Sequence, residues 1–200
     1  MENLTKTSEL SKQMMLLAHG SRDTRINDAA SNYDGITIRK IAKIVDEPQR
    51  TEKADAAFII PSTYRQHDGR NHATQREHGE YWLLAVDVDE GNPSLDHLKT
   101  AVQTVTGNAS ALFYSSSGAT AESRKWRVLI PLSAPITGEE YIDAQLALFE
   151  LLQREGITAD AALSRSGQPI FLPSAMNLAS QCSTRASVIT AMACWCQKKA

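Results

Sequence analysis

The stretch YWLLAVDVDEGNPS, residues 81–94, decides how the chain is read. Its first eight residues are dominated by aromatic and aliphatic side chains. After Asp89, the remaining EGNPS is turn-forming, so the pattern predicts a buried strand that runs out into solvent. Asp87 and Asp89 stand at the exit. Side chains two apart on a strand point the same way, so both carboxylates project together. Two neighbouring carboxylates repel, and a hard cation such as Mg²⁺ or Mn²⁺ relieves that repulsion. A cation so held can grip nucleotide phosphates. The plainer alternative is a pair of solvated acids where a strand enters a turn.

Working outward from this strand, AFIIP (57–61) is a second strand and the polar residues 62–80 between them read as a loop. Ser94 caps a helix over 95–106, with Leu95, Leu98, Ala101, Val102 and Val105 on one face and Gly107 after it. ALFYS (111–115) and WRVLIPL (126–132) are strands. Thr137 and Glu140 have capping-box spacing before a helix that runs to about 155, with Tyr141, Ala144, Leu148, Leu151 and Leu152 inward. Gly156 ends it, and PIFLP (169–173) is a further strand. That order predicts an α+β domain with a mostly antiparallel sheet flanked by helices.

The first quarter has a different pattern. Residues 7–18 read as a helix with Leu10, Met14, Leu17 and Ala18 on one face. Residues 21–35 read as a loop, and 36–45 as a second helix ending before Pro48. The expected organisation is a small helical N-terminal appendage (1–56), a core (57–174), and a cysteine-containing C-terminal tail (175–200) with one weak helix near 186–197.

The chain has 200 residues, 21 Lys+Arg against 23 Asp+Glu, and a net charge of −2. Hydrophobic content of 42% and charged content of 22% are those of a globular protein and exclude wholesale disorder. No apolar run reaches the roughly 18–20 residues that span a bilayer. The N-terminus is polar, without a signal peptide's basic start and apolar core, so a soluble, cytoplasmic protein is expected. Near-zero charge argues at first against a nucleic-acid partner. The distribution is uneven, however. Residues 57–122 carry four bases and eight acids, and residues 123–200 carry eight bases and six acids. Cys182, Cys194 and Cys196 crowd the tail. Their odd number argues against a disulfide framework, and no fourth ligand for zinc lies nearby.

Further candidates surround the aspartate pair. Ser115, Ser116, Ser117 and Gly118 end one strand, and Arg124, Lys125 and Arg127 begin the next. Hydroxyls, backbone N–H groups and Arg forks there suit phosphate, although a polar hairpin loop with surface cations reads equally from the residues. Asp160, in a loop, matters if folding brings it to Asp87 and Asp89. The 62–80 stretch holds Arg65, His67, Arg70, His72, Arg76 and His78, either a phosphate contact or a solvated loop. Tyr64 and Trp126 could stack on bases or pack in the interior.

From about 57 to 174 the sequence resembles the primase–polymerase domains of the archaeo-eukaryotic primase superfamily, in the versions found in phage, prophage and plasmid replication proteins. LLAVDVDEGN (83–92), YSSSG (114–118), ESRKWRVLIPLSAPIT (122–137) and GITAD…GQPIFLP (156–173) carry the resemblance. It implies an RRM-like core. It also implies metal-dependent addition of nucleoside triphosphates to a nucleic-acid chain on a single-stranded DNA template, with a replicative helicase as a partner. Asp87, Asp89 and Asp160 fall on the family's metal-binding acids, which would hold two cations, Mg²⁺ or Mn²⁺, as catalytic residues. Ser115, Ser117 and Arg127 fall on its nucleotide-binding motif. Arg70, Arg124 and Lys125 are implied nucleic-acid contacts. The sequence departs from the family at one point. The motif normally presents a His to the phosphates, but no His occurs between 98 and 200, and Arg127 is the occupant of that place. Arg grips phosphate bidentately and stays charged, so binding survives the exchange whereas proton chemistry does not.

Two other readings compete. One is a nucleic-acid-binding or regulatory module of the same fold that has lost catalysis, motivated by the missing His. The other is a haloacid-dehalogenase-type phosphatase, whose opening DxD pair the DVDEGN stretch resembles. There the first Asp is a nucleophile and the second a general acid. Such enzymes carry the motif near the N-terminus of a doubly wound parallel fold, whereas here 80 residues precede the strand that bears it. LLAHGSRD (16–23) also looks like the opening of small cobalt/nickel chelatases, which requires its Leu-rich lead-in to be a strand.

Overall fold

Residues 15–21, 31–48 and 55–174 are described by a computed structural model. The apolar run predicted as the decisive strand is β4 (Tyr81–Val88). It pairs antiparallel with β6 (Trp126–Ile136), which pairs antiparallel with β5 (Leu112–Ser115), giving the order β4-β6-β5. A proline cannot donate to a ladder. Pro131 and Pro135 are tolerated in this central strand because they lie beyond the reach of β5, which pairs with residues 126–129 only. The register with β4 also shifts there, between Tyr81 and Leu83.

The alternation of β4 divides the interior in two. Leu84, Val86 and Val88 face a core shared with α3 (Leu95–Thr106) and α4 (Gly138–Arg154). Leu83 and Ala85 face a second core, with Leu112, Tyr114 and Leu129 of the same sheet. Across that second core lies another antiparallel sheet. Its order is β2-β1-β3-β7, from β1 (Leu17–Ser21), β2 (Asp34–Ile36), β3 (Ala57–Ile60) and β7 (Ile170–Phe171). Leu17, Ile36, Ile59 and Ile170, with Ile41 and Val45 of α1 (Ile38–Asp46), fill the space between the sheets.

The α+β class is as expected, but the strands form two antiparallel sheets rather than one. The described part of the first quarter also departs from its helical reading. Leu17 and Ala18, read as the end of a helix, lie in β1, and β2 (Asp34–Ile36) takes in Asp34 and Gly35, read as loop, and Ile36, read as the start of the next helix. These strands join the sheet that holds β3 and β7. The helical spacing of Leu17 and Ala18 misleads because β1 is short and its ladder partners lie far along the chain. Gly20 stands opposite Phe58, where a Cβ would come 3.0 Å from the ring. The helix expected over 36–45 forms two residues later, as α1, capped by Thr37. The tail, its three cysteines and its expected helix lie outside the described residues.

The local signals of the core appear where they were read. Ser94 caps α3, and Gly107 ends it in the left-handed conformation. Thr137 and Glu140 form the capping box of α4. Residues 62–80, read as loop, contain a 3-10 turn (His67–Arg70) and a short helix, α2 (His72–His78). The inward residue of α2 is Gln75, which an apolar pattern does not reveal. Its backbone lies against the start of α4, where a Cβ on Gly138 would come 2.2 Å from the Arg76 carbonyl oxygen. Among the described residues no helix is long and apolar enough to cross a membrane.

Candidate functional site

Asp87 belongs to the same face of β4 as Leu83 and Ala85, so its carboxylate lies toward the seam between the two sheets. Its cross-strand partner is Arg127, whose own partner on β5 is Tyr114. Arg127 donates from Nε to Asp87 Oδ2 at 2.9 Å. A second guanidinium nitrogen donates to the Phe171 carbonyl oxygen of β7 at 3.0 Å. The Tyr114 hydroxyl donates to that same oxygen at 3.1 Å. The Asp87 and Arg127 side chains are only 12% and 15% exposed. The other carboxylate oxygen, Asp87 Oδ1, is buried and bonded to nothing. Burial pushes the Asp87 carboxyl above its ordinary range, and the adjacent guanidinium restrains that rise without cancelling it. Asp89 and Asp160 add to the rise. Burial also opposes the charge on Arg127, but Asp87 sustains it.

Folding brings Asp160 to this strand. Its backbone N–H donates to the Asp87 carbonyl oxygen at 2.8 Å. Its exposed side chain caps the 3-10 turn Ala161–Ser164 through the Ala162 N–H, at 2.9 Å. Asp89, just past the end of β4, is exposed and pairs with Lys125 Nζ at 3.3 Å. All three expected acids therefore gather at one end of β4. They are not arranged as a ready cage, because Asp87 and Asp89 are each turned to a base. Among the described residues no three His, Cys, Asp or Glu side chains are placed to hold a metal ion together. Donor chemistry nevertheless fits a hard cation at Asp87, where a buried carboxylate oxygen lacks any partner.

The serine turn borders the site. Ser115 pairs with Trp126 across the sheet. The Ser116 N–H donates to the Lys125 carbonyl oxygen at 3.0 Å, and Ser116 in turn accepts from the Ala119 N–H at 3.0 Å. Ser117 is exposed at the tip. Arg124 is held by Asn92, whose Oδ1 accepts from the Arg124 backbone N–H at 2.9 Å and from its Nε at 3.0 Å. Asn92 Nδ2 donates to the Glu122 carbonyl oxygen at 3.1 Å. Asn92 adopts a positive φ of 48°, a conformation that Asn tolerates better than most residues. It was read as a turn former and gave no sign of this bridging role.

Two residues are placed elsewhere. Arg70 lies over the Tyr33 ring at 5.3 Å and donates to the carbonyl oxygens of Ser31 and His67, so it fastens the 31–33 segment. Trp126 is 3% exposed with its Nε1 donating to the Pro93 carbonyl oxygen, so it packs rather than stacking on a base. Gln145 of α4 was not among the expected site residues; the only sign in the sequence is a polar residue within the apolar stripe of the helix. Gln145 is fully buried. Its side-chain amide accepts from the Ala85 N–H at 3.0 Å and donates to the Ala85 and Leu163 carbonyl oxygens at 2.9 and 3.2 Å. One side chain thus ties β4, two residues before Asp87, to the turn that Asp160 caps.

No protein-family model matches the chain, and no curated protein matches it. The chain is similar in shape to a phage primase–polymerase domain. That solved structure is the AEP domain (PP-N190) of the cyanophage S-2L primase-polymerase, PrimPol. The similarity covers 84% of this chain and 78% of that one, at 13% identity and a TM-score of 0.46. A likeness of that degree concerns general shape and assigns no residue.

Proposed function

We propose that the chain is a metal-dependent nucleotidyltransferase of the primase–polymerase kind, acting in the replication of a phage, prophage or plasmid. The observation that carries this reading is the convergence on one strand end of Asp87, with its buried unbonded oxygen, Asp89, Asp160 and Arg127. Asp87 and Asp89, with Asp160, would hold Mg²⁺ or Mn²⁺. Such a cation supplies charge neutralisation for the triphosphate and activation of the attacking 3′-hydroxyl. Arg127 offers a fork for phosphate oxygens, and Ser117, exposed in the turn, would add a hydroxyl; Ser115, the cross-strand partner of Trp126, lies on the face of the sheet opposite to Arg127 and would contribute only through its backbone. Arg124, steadied by Asn92, and Lys125 present positive charge on the flank where a single-stranded DNA template would pass. Burial of Arg127 strengthens its attraction for an anion because little water screens it.

A second reading, a nucleic-acid-binding module without catalysis, is favoured by one observation. Arg127 and Lys125 hold the two acids that a cation would need. The phosphatase alternative needs a doubly wound parallel sheet, whereas every described strand pair is antiparallel. The chelatase likeness gains a strand at 17–21 but no group of three metal-ligating side chains among the described residues.

Incorporation of labelled nucleotide on a primed single-stranded template, with Mg²⁺ or Mn²⁺, tests the reading against the Asp87→Ala/Asp89→Ala variant. Metal-dependent incorporation that the double variant lacks is expected. Template binding without incorporation by the wild-type chain establishes the module instead.

A further inference from the structure

We infer that Arg127 is a latch shared between Asp87 and the incoming nucleotide: without metal the guanidinium is held by the carboxylate, and engagement of Asp87 by a divalent cation releases it to the triphosphate. This rests on the nucleotidyltransferase reading and goes beyond it, because it makes the triphosphate grip conditional on the metal.

The geometry shows a half-used carboxylate and a half-used guanidinium. Asp87 commits Oδ2 to Arg127 Nε, while Oδ1 is buried without a partner. Arg127 makes one bond to Asp87 and one to the Phe171 carbonyl oxygen. A guanidinium carries five N–H donors in a fixed fork, so its remaining donors can meet an anion. With both side chains largely shielded from water, their charges interact strongly. The bare Oδ1 gives a cation a foothold beside the ion pair. A divalent charge placed there opposes the guanidinium and competes for the carboxylate. The bond to Phe171 keeps Arg127 at the seam while its contact with Asp87 is exchanged for phosphate oxygens. Lys125, on the exposed Asp89, stands in the same relation to the second acid, but more weakly because water screens it.

A latch of this kind couples two ligands, and such couplings are on the order of 5- to 150-fold. The test measures binding of a fluorescent, non-hydrolysable nucleoside triphosphate in EDTA and in Mg²⁺. Wild type is compared with Asp87→Asn, and with Asp87→Ser should the first variant fail to fold by circular dichroism. The expected result is metal-free triphosphate binding roughly tenfold tighter in the Asp87 variant than in wild type. Arg127→Gln removes that gain when combined with it. If wild type binds the triphosphate in Mg²⁺ but the Asp87 variant binds no better in EDTA, the latch is wrong and the nucleotide site stands. If wild type binds no triphosphate under either condition, the latch and the nucleotidyltransferase reading both fall.

Discussion

Replacing Gln145 with Leu tests whether one buried amide holds the two acid-bearing segments together. Gln145→Leu keeps the approximate bulk of the side chain and removes all three of its hydrogen bonds. Leu163 retains the Tyr141 hydroxyl, which donates to its carbonyl oxygen at 3.0 Å. Ala85, itself fully buried, loses its side-chain partners at both N–H and C=O. An orphaned buried group costs about 1–3 kcal/mol, so two cost about 2–6 kcal/mol. The added apolar contact of Leu offsets about 1.5–3 kcal/mol. Taking the middle of each range, a net loss of about 2 kcal/mol follows, which for a chain of this size lowers Tm by roughly 4–8 °C. Leu146, the next residue on α4, is 50% exposed and serves as the control. Leu146→Gln should lie within about 0.5 kcal/mol of wild type. Thermal and urea melts of the two variants decide the matter. A Gln145→Leu protein within about 0.5 kcal/mol of wild type would refute the hydrogen-bond argument, because the orphaned groups would then have found other partners.

Gly138→Ala sets helix propensity against packing. Ala gains up to about 1 kcal/mol inside a helix, but its Cβ would meet backbone of α2, which cannot swing aside. We expect a net loss of about 1–3 kcal/mol in urea unfolding; a stabilised variant would mean that α2 shifts freely. His19→Asn tests the first sheet through pH. Burial lowers the His19 pKa below its ordinary 6.5, against the pull of Asp34. The unfolded chain therefore takes up the proton more readily. His19's contribution is complete above about pH 6.5 and is lost as pH falls through the lower folded value. Wild type should lose stability more steeply than His19→Asn on acidification from pH 7 to 5. Parallel profiles would show that His19 is not shielded.

What the sequence disclosed depended on how local each signal is. β4 and the caps at Ser94 and Thr137 were legible because each is written within a few consecutive residues. β1 was not. Its partners Phe58 and Ile59 stand some 40 residues downstream, and only pairing shows why Gly20 belongs in a strand. α2 was hidden because it turns Gln75 rather than an apolar side chain inward. The three aspartates were found from spacing and resemblance, and folding brings them to one end of β4. The pairing of Asp87 with Arg127 depends on the register between β4 and β6, 40 residues apart, which no local pattern specifies. Gln145 shows the same limit. A polar residue in the apolar stripe of a helix is visible as an anomaly, but its use is visible only beside Ala85.

The bond from Arg127 to Phe171 gives one side chain two employers. β7 is two residues long, with Phe171 and Ile170 paired to β3 and the Leu172 N–H bonded to Ala57. Arg127 and Tyr114 are what fasten its outer carbonyl to the neighbouring sheet. Changes at 127 that retune charge for a different ligand must also give up part of that fastening. Because natural chains sit close to their stability threshold, variation at 127 is expected to be tolerated only in backgrounds where the short strand is secured in some other way. In the proposed reading, the residue that would grip the phosphate is thus also a structural tie, so its replacement depends on reinforcement elsewhere in the chain.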